Sequence, residues 1–236
     1  MGMNASKYIE AYNTIDRTLR SQYGFKDNVS FSELLRQTSS KNQLIKKYED
    51  ELYDFGRLRN AIVHKSTDKI IAEPNDETVG LICHIADLLI SPPTVLDVVK
   101  SKSVIAFDDD QNMYDLIDAI YKHNYSNIPI YKDKQIIGIV NSKQILNMFV
   151  RLLQSADCVS AEALKKIKLR DVAHIDPRDY IFMSTGASII DVLTAYNQNP
   201  RLKAILLTRY GDNTVPVVAV ITSSDWLRFS NILDKI

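Results

Sequence analysis

Apolar residues recur every three or four positions through the first ninety residues, which is the spacing of helices that bury one face. The first apolar stripe consists of Tyr8, Ile9, Tyr12, Ile15 and Leu19. Ser30 and Glu33 have capping-box spacing and predict the start of a second helix. The pattern then predicts one long helix over about residues 41–64 and a last helix that carries residues 79–89. Ser91, Pro92 and Pro93 end this last helix, so residues 1–91 are predicted to form an all-α bundle.

A different pattern follows and occurs twice. Each copy ends with an apolar run rich in β-branched residues, a short polar segment and an amphipathic helix, at residues 128–146 and again at 215–226. Earlier in each copy a strand, predicted from Val104 and from Tyr180, precedes another helix. A strand–turn–helix unit that recurs predicts two copies of one small fold packed together.

The predicted fold class is therefore α+β, with an N-terminal all-α helical bundle followed by two β-α-β-β-α repeats. We place the first repeat at residues 94–154. The connecting helix and the second repeat occupy residues 155–236.

Composition narrows the classes of function. The 236 residues are 45% apolar and 25% charged with zero net charge, so no global field favours a nucleic acid or a membrane. Cys83 and Cys158 lack the spacing of metal ligands, and no stretch resembles a signal peptide or a membrane span. We expect a soluble, cytoplasmic protein without a metal. Asp108 to Asp110 could bind a cation, but their position just before a predicted helix explains them better as acids at a helix start.

Arg59, Asn60 and His64 are the chemical candidates of the helical region. Histidine can exchange a proton near neutral pH, and arginine can hold a phosphate and stabilise its developing charge. Arg59 and His64 are separated by about 140° around an ideal helix, so they do not share one face. Asn60 and His64 are four residues apart and share one face of the helix. Arg59 would have to reach round the helix, or the site would have to be shared between two subunits.

This segment resembles the Arg-x4-6-His motif of HEPN domains, which are small helical bundles. The resemblance implies a metal-independent ribonuclease that acts on RNA and whose site forms across a homodimer. His64 would then be the acid/base, Arg59 the phosphate-stabilising residue and Asn60 an orienting or binding residue. Two alternatives remain. The segment could contact a nucleotide or RNA without catalysis, or it could be structural, with Arg59 paired to an acid such as Glu51 or Asp54 and His64 complementing the helix dipole.

The two C-terminal copies resemble a tandem pair of CBS domains, the Bateman module. The resemblance rests on the element order, on the Asp-Val pairs at Asp97 and Asp171, and on the polar turn between the last strand and last helix. It implies two CBS repeats that bind an adenine nucleotide in clefts between them. It also implies a homodimer and the regulation of an attached domain.

The polar turns carry the candidate nucleotide site. A carboxylate just inside a helix can accept both hydroxyls of a ribose, and neighbouring hydroxyls and amides suit a phosphate. Thr222, Ser223, Ser224 and Asp225 fit the Ser/Thr-x-x-Asp motif of the family, although Thr222 and Asp225 could also be a simple cap pair.

The first copy departs from this motif. It has Asn141, Lys143 and a glutamine, Gln144, in place of the acid. Gln144 can still bond a hydroxyl and Lys143 could meet a phosphate, but one filled site per chain is the simplest expectation. The adenine is expected near Lys203 and Ala204.

Two functions remain open from the sequence. In the first, AMP, ADP or ATP in the CBS pair controls a helical ribonuclease. In the alternative, the chain is a non-enzymatic nucleotide sensor, and the helical region serves dimerisation or protein interaction.

Overall fold

The computed structural model describes residues 2–63, 72–99, 104–155 and 158–234. The chain divides into two compact units. Unit 1 comprises Met1–Val98, Ser188–Pro200 and Trp226–Ile236, and unit 2 comprises Val99–Ala187 and Arg201–Asp225. The sequence-based domain boundaries stay a prediction, since compact units need not coincide with folding domains.

Helices build the described part of unit 1. They are α1 (Met3–Tyr23), α2 (Phe31–Thr38), α3 (Gln43–Lys47), α4 (Glu49–Ile62), α5 (Asp76–Ile90), α10 (Ile189–Gln198) and α11 (Trp226–Leu233). The side-chain oxygen of Ser30 accepts the Glu33 amide at 3.2 Å, which confirms the predicted helix start. A short helix, α6 (Val95–Val99), follows α5 along the chain.

The single long helix predicted over residues 41–64 is wrong. A one-turn 3₁₀ helix (Ser39–Lys41), α3 and α4 occupy that stretch. The Asn42 side chain accepts the amides of Leu44 and Ile45 and starts α3 as an N-cap. Tyr48 then leaves the helical conformation, with φ −107° and ψ 27°, and separates α3 from α4.

The last two helices of the second repeat belong to unit 1. The Gln43 amide donates to the Thr194 hydroxyl of α10 at 3.0 Å. At the end of α11, the Leu233 carbonyl accepts from the Tyr48 hydroxyl at 2.6 Å and from His84 Nε2 at 3.0 Å. The N-terminal helices therefore also contact α10 and α11 within unit 1.

The Tyr48 contact predicts a measurable loss of stability. Because the hydrogen bond to Leu233 is buried, Tyr48→Phe should lower the free energy of unfolding by about 1 kcal/mol in urea titrations. Tyr53→Phe is the matched control, since the Tyr53 hydroxyl donates to Ser32 at 3.3 Å on the exposed surface. Equal losses in both variants would contradict the importance of the buried contact.

Unit 2 contains the strands of both repeats. The first sheet has β1 (Phe107–Asp108), β2 (Asn127–Lys132) and β3 (Gln135–Asn141), and the second has β4 (Tyr180–Ser184), β5 (Ala204–Thr208) and β6 (Val217–Thr222). In each sheet the first two strands are parallel and the last two are antiparallel. The identical topology confirms the predicted α+β fold with two β-α-β-β-α repeats.

The described part of unit 2 also contains two one-turn 3₁₀ helices, Leu169–Asp171 and Ser223–Asp225, and three α-helices. The α-helices are α7 (Met113–His123), α8 (Ser142–Ser155) and α9 (Ala161–Lys166). Helix α9 confirms the predicted connecting helix, and the Ser160 side chain caps it by accepting the Ala163 amide. The second predicted strand start, Tyr180, is confirmed, but the start at Val104 is wrong because β1 pairs with β2 only at Phe107 and Asp108.

The core of unit 2 joins the two sheets. Buried Tyr131 and Ile139 of the first sheet pack in one apolar cluster with Tyr180 and Leu206 of the second. Val104 and Val220 pack against the same cluster. The Tyr131 hydroxyl also accepts the Val217 amide at 2.8 Å, so polar and apolar contacts hold the two copies together.

Candidate functional site

A cavity of about 500 Å³ lies within unit 2 and is lined by both repeats. The first repeat contributes the segment ahead of β1 and the connection between α7 and β2. The second repeat contributes the end of β6 and the polar turn after it. The lining residues are Val99, Val104, Ile105, His123, Asn124, Tyr125, Ser126, Asn127, Ala219, Val220, Thr222, Ser224 and Asp225.

The polar turn brings two hydroxyls and one carboxylate to the cavity. Asp225 Oδ2 accepts the Thr222 amide at 3.0 Å, and the hydroxyls of Thr222 and Ser224 lie 2.6 Å apart. The cap pair considered from the sequence is therefore present. Within the described part of the chain, the other carboxylate oxygen of half-buried Asp225 accepts no hydrogen bond. Exposed Ser223 does not belong to the lining.

The opposite wall comes from residues that the sequence analysis missed. Asn124 ends α7 in the left-handed conformation, with φ 54°, and turns the chain toward β2. Asn127 Nδ2 donates to the Ser126 hydroxyl oxygen at 3.1 Å. The internal repeat could have revealed this wall, because residues 124–127 precede the second strand of their copy as residues 201–204 do in the other.

Lys203 and Ala204 do not line this cavity. Ala204 is fully buried and pairs with Thr222 in the β-ladder. The Lys203 ammonium forms an ion pair with the carboxylate of buried Asp179 and lies 6.0 Å from the centre of the Tyr180 ring. Its charge is thus engaged inside the second repeat.

The turn of the first copy has the same cap, but its first side chain, Asn141, is buried. Gln144 Oε1 accepts the Asn141 amide at 2.8 Å, as Asp225 does for Thr222. Asn141 Oδ1 accepts the amides of Lys143 and Gln144 at 3.0 and 3.1 Å. Lys143 is exposed, and none of these three residues lines the cavity.

Tyr180 lies behind the cavity wall. Its buried hydroxyl contacts Asn141 Nδ2 at 2.6 Å and Asn127 Oδ1 at 3.0 Å. Burial raises the pKa of Tyr180, and the hydrogen bond from Asn141 and the charge of Lys203 only partly offset that rise. The hydroxyl therefore stays protonated near neutral pH and can act as a donor.

The helical candidates lie at the end of α4. Arg59 is half-buried and Asn60 is exposed, with Arg59 Nη1 3.5 Å from Asn60 Oδ1. Burial and the Asp16 charge raise the pKa of Tyr12 to about 12, although Arg59 acts in the opposite direction. His64 lies outside the described residues, so its relation to Arg59 stays a prediction.

Within residues 2–63, 72–99, 104–155 and 158–234, no group of three or more His, Cys, Asp or Glu side chains could hold a metal ion. Among the helices in these ranges, none is long and apolar enough to cross a membrane.

In the comparison with known proteins, residues 95–151 match the family model of the CBS domain. The second repeat has the same strand and helix order. The family match does not extend to the helical region, and the HEPN resemblance therefore stays a prediction. No curated protein matches the chain.

Several solved structures are similar at low identity. The CBS domain of the bacterial CNNM/CorC family Mg²⁺ transporter in complex with ATP is 19% identical over 66% of this chain and 96% of that chain, with a TM-score of 0.45. CBSX2 in complex with AMP is 13% identical over 61% and 99%, with a TM-score of 0.45. A CBS domain from Sphaerobacter thermophilus is 14% identical over 59% and 89%, with a TM-score of 0.46.

Proposed function

We propose that unit 2 is a regulatory CBS module that binds one adenine nucleotide in the cavity between the polar turn of β6 and the α7–β2 connection. The cavity volume of about 500 Å³ lies within the range of about 300–1,000 Å³ that is usual for small-molecule sites. CBS domains with bound ATP and bound AMP are known among the similar structures, which agrees with this ligand class.

The observation that carries the proposal is the carboxylate of Asp225. It lines the cavity with one oxygen engaged by Thr222 and the other available. A carboxylate oxygen that accepts both hydroxyls of a ribose would form charge-assisted hydrogen bonds, which are stronger than neutral ones. The hydroxyls of Thr222 and Ser224 stand beside it and share one hydrogen bond, which leaves one hydroxyl proton to donate to a phosphate.

The apolar part of the lining suits the base. Val104, Ile105 and Val220 contribute apolar side chains to the lining, and a flat aromatic base buries apolar area well against such residues. The related turn of the first copy is committed to internal hydrogen bonds through Asn141 and Gln144. We therefore propose one nucleotide per chain. It is held at the turn of the second copy, without direct contacts to Asn141, Lys143, Gln144, Lys203 or Ala204.

We propose that nucleotide binding in unit 2 regulates the helical region. Helix α11 begins directly after Asp225 in the chain, and its last carbonyl is held by Tyr48 and His84. These contacts favour a role for the helical region as an interaction or dimerisation element under nucleotide control. A ribonuclease centred on Arg59 and His64, active on RNA across a homodimer, remains the alternative output.

Thermal unfolding with added nucleotides tests the binding proposal. A ligand at about one hundred times its Kd adds about 2.7 kcal/mol, which should raise the Tm of a chain of this size by about 5–10 °C. We expect such a rise with at least one of AMP, ADP and ATP, and a smaller one with GMP at equal concentration. The absence of any shift with all three adenine nucleotides would overturn the proposal.

A further inference from the structure

A chain of three polar side chains, Asn127, Tyr180 and Asn141, connects the proposed nucleotide cavity with the start of α8, and the last two of them are buried. Asn141 Nδ2 lies 2.6 Å from the Tyr180 hydroxyl, and that hydroxyl lies 3.0 Å from Asn127 Oδ1. Asn127 lines the cavity, whereas Asn141 belongs to the turn of the first copy. The three residues come from β2, β3 and β4, so the chain crosses from one sheet to the other.

The direction of these hydrogen bonds is fixed at the helix end. Asn141 Oδ1 already accepts two backbone amides at the start of α8, and amides can only donate there. Asn141 must therefore present its NH₂ group to Tyr180. Because a tyrosine hydroxyl has one proton, Tyr180 accepts from Asn141 and donates to Asn127 Oδ1.

The direction of these hydrogen bonds also fixes the orientation of the Asn127 amide at the cavity wall. With Oδ1 turned toward Tyr180, Asn127 directs its NH₂ group toward Ser126, and both residues line the cavity. Ser126 accepts one of those protons, so its own hydroxyl proton is left to donate elsewhere. The wall formed by Ser126 and Asn127 is thus a donor surface, and it faces the same cavity as the acceptor oxygen of Asp225.

The donor surface lies near the apolar part of the site. Tyr180 belongs to the apolar cluster against which Val104 and Val220 pack, and both of these residues line the cavity. The ring nitrogens of a purine without an attached hydrogen are acceptors in the plane of the base, so an N–H donor at this place matches them. Phosphate contacts are better served by the hydroxyls of the β6 turn.

We propose that Asn127 donates a hydrogen bond to a ring nitrogen of the bound purine and that Tyr180 is the positioning residue that sets the orientation of its amide. This inference rests on the proposed nucleotide binding and assigns to Asn127 the hydrogen bond that recognises the base. Asn141 completes the arrangement, because its fixed orientation decides which way the Tyr180 proton points.

Calorimetric titration of the full chain with AMP and its 1-deaza, 3-deaza and 7-deaza analogues tests the contact. Each analogue lacks one acceptor of the ring. For wild type, one analogue should bind about tenfold more weakly than AMP, as expected for one hydrogen bond in a closed site. Asn127→Ala should weaken AMP binding by a similar factor and show no further loss with that analogue. The contact would be overturned if Asn127→Ala lowered the affinity for AMP and for every analogue by the same factor, because the loss from the variant would then be independent of each ring nitrogen.

Asn141→Asp tests the positioning role. The new carboxylate can still accept the two α8 amides, but it offers Tyr180 only an acceptor. The Tyr180 proton should then turn away from Asn127, and AMP affinity should fall about fivefold to tenfold while the Tm without ligand stays within a few degrees. Tyr180→Phe should give the same loss of affinity.

The outcomes separate this inference from the proposed function. Wild-type protein that binds no AMP would overturn nucleotide binding itself. Wild-type protein that binds AMP, with unchanged affinity in Asn127→Ala, Tyr180→Phe and Asn141→Asp, would overturn the role of the polar chain alone.

Discussion

Asp225→Asn is expected to weaken AMP binding by about 10-fold to 100-fold, because hydrogen bonds to a charged group contribute about 1.5–3 kcal/mol. The substitution is nearly isosteric and keeps one oxygen for the Thr222 amide, which Asp225 Oδ2 accepts at 3.0 Å. The polar turn should therefore keep its shape while the negative charge is lost. Calorimetric titration of the full chain gives the change in Kd directly.

Gln144→Ala provides the control for this loss. Gln144 caps Asn141 in the first copy as Asp225 caps Thr222 in the second, but it does not line the cavity. The variant removes an equivalent cap and should leave the Kd for AMP within about twofold. If both variants bound AMP as wild type does, the ribose contact assigned to Asp225 would be wrong.

Gly138→Ala is expected to destabilise the protein by about 1–3 kcal/mol, the range found when a packed core is overfilled. A Cβ atom at Gly138 would lie 2.6 Å from the backbone of both Ala173 and His174. The neighbouring Ile139 exchanges two backbone hydrogen bonds with His174, at 3.2 and 3.3 Å, so this close approach joins β3 to the start of the second repeat.

Gly186→Ala is the matched control in unit 2. The nearest atom to a Cβ at Gly186 is the Ser184 hydroxyl oxygen at 3.8 Å, an ordinary contact distance. Urea unfolding should show a change within about 0.5 kcal/mol for this variant. A loss for Gly138→Ala no greater than that of the control would refute the tight contact between β3 and residues 173–174.

The repeats could be predicted from the sequence because the pattern that defines them is local. A β-branched run, a polar turn and an amphipathic helix are each visible within about 20 residues, and they recur. The break at Tyr48 was not visible, since the apolar spacing of Leu44, Tyr48 and Leu52 continues through it. The contact that holds Tyr48 involves Leu233, which lies 185 residues away.

In the candidate site, too, the local motif could be predicted from the sequence and the contacts between distant residues could not. Thr222 and Asp225 form a short motif whose chemistry is visible in the sequence, and the structure places both in the cavity. Asn127 was missed because the wall that faces the motif depends on how the two copies pack. The inward orientation of Asn141 could not be predicted for the same reason, since it results from Tyr180 in another strand.

A crystal structure of the full chain grown with AMP tests the central claim most directly. The account predicts one AMP per chain in the cavity of unit 2, with the ribose hydroxyls on Asp225 and a base nitrogen at Asn127. AMP bound instead beside Asn141 and Lys203, or no AMP in crystals grown at saturating concentration, would contradict it.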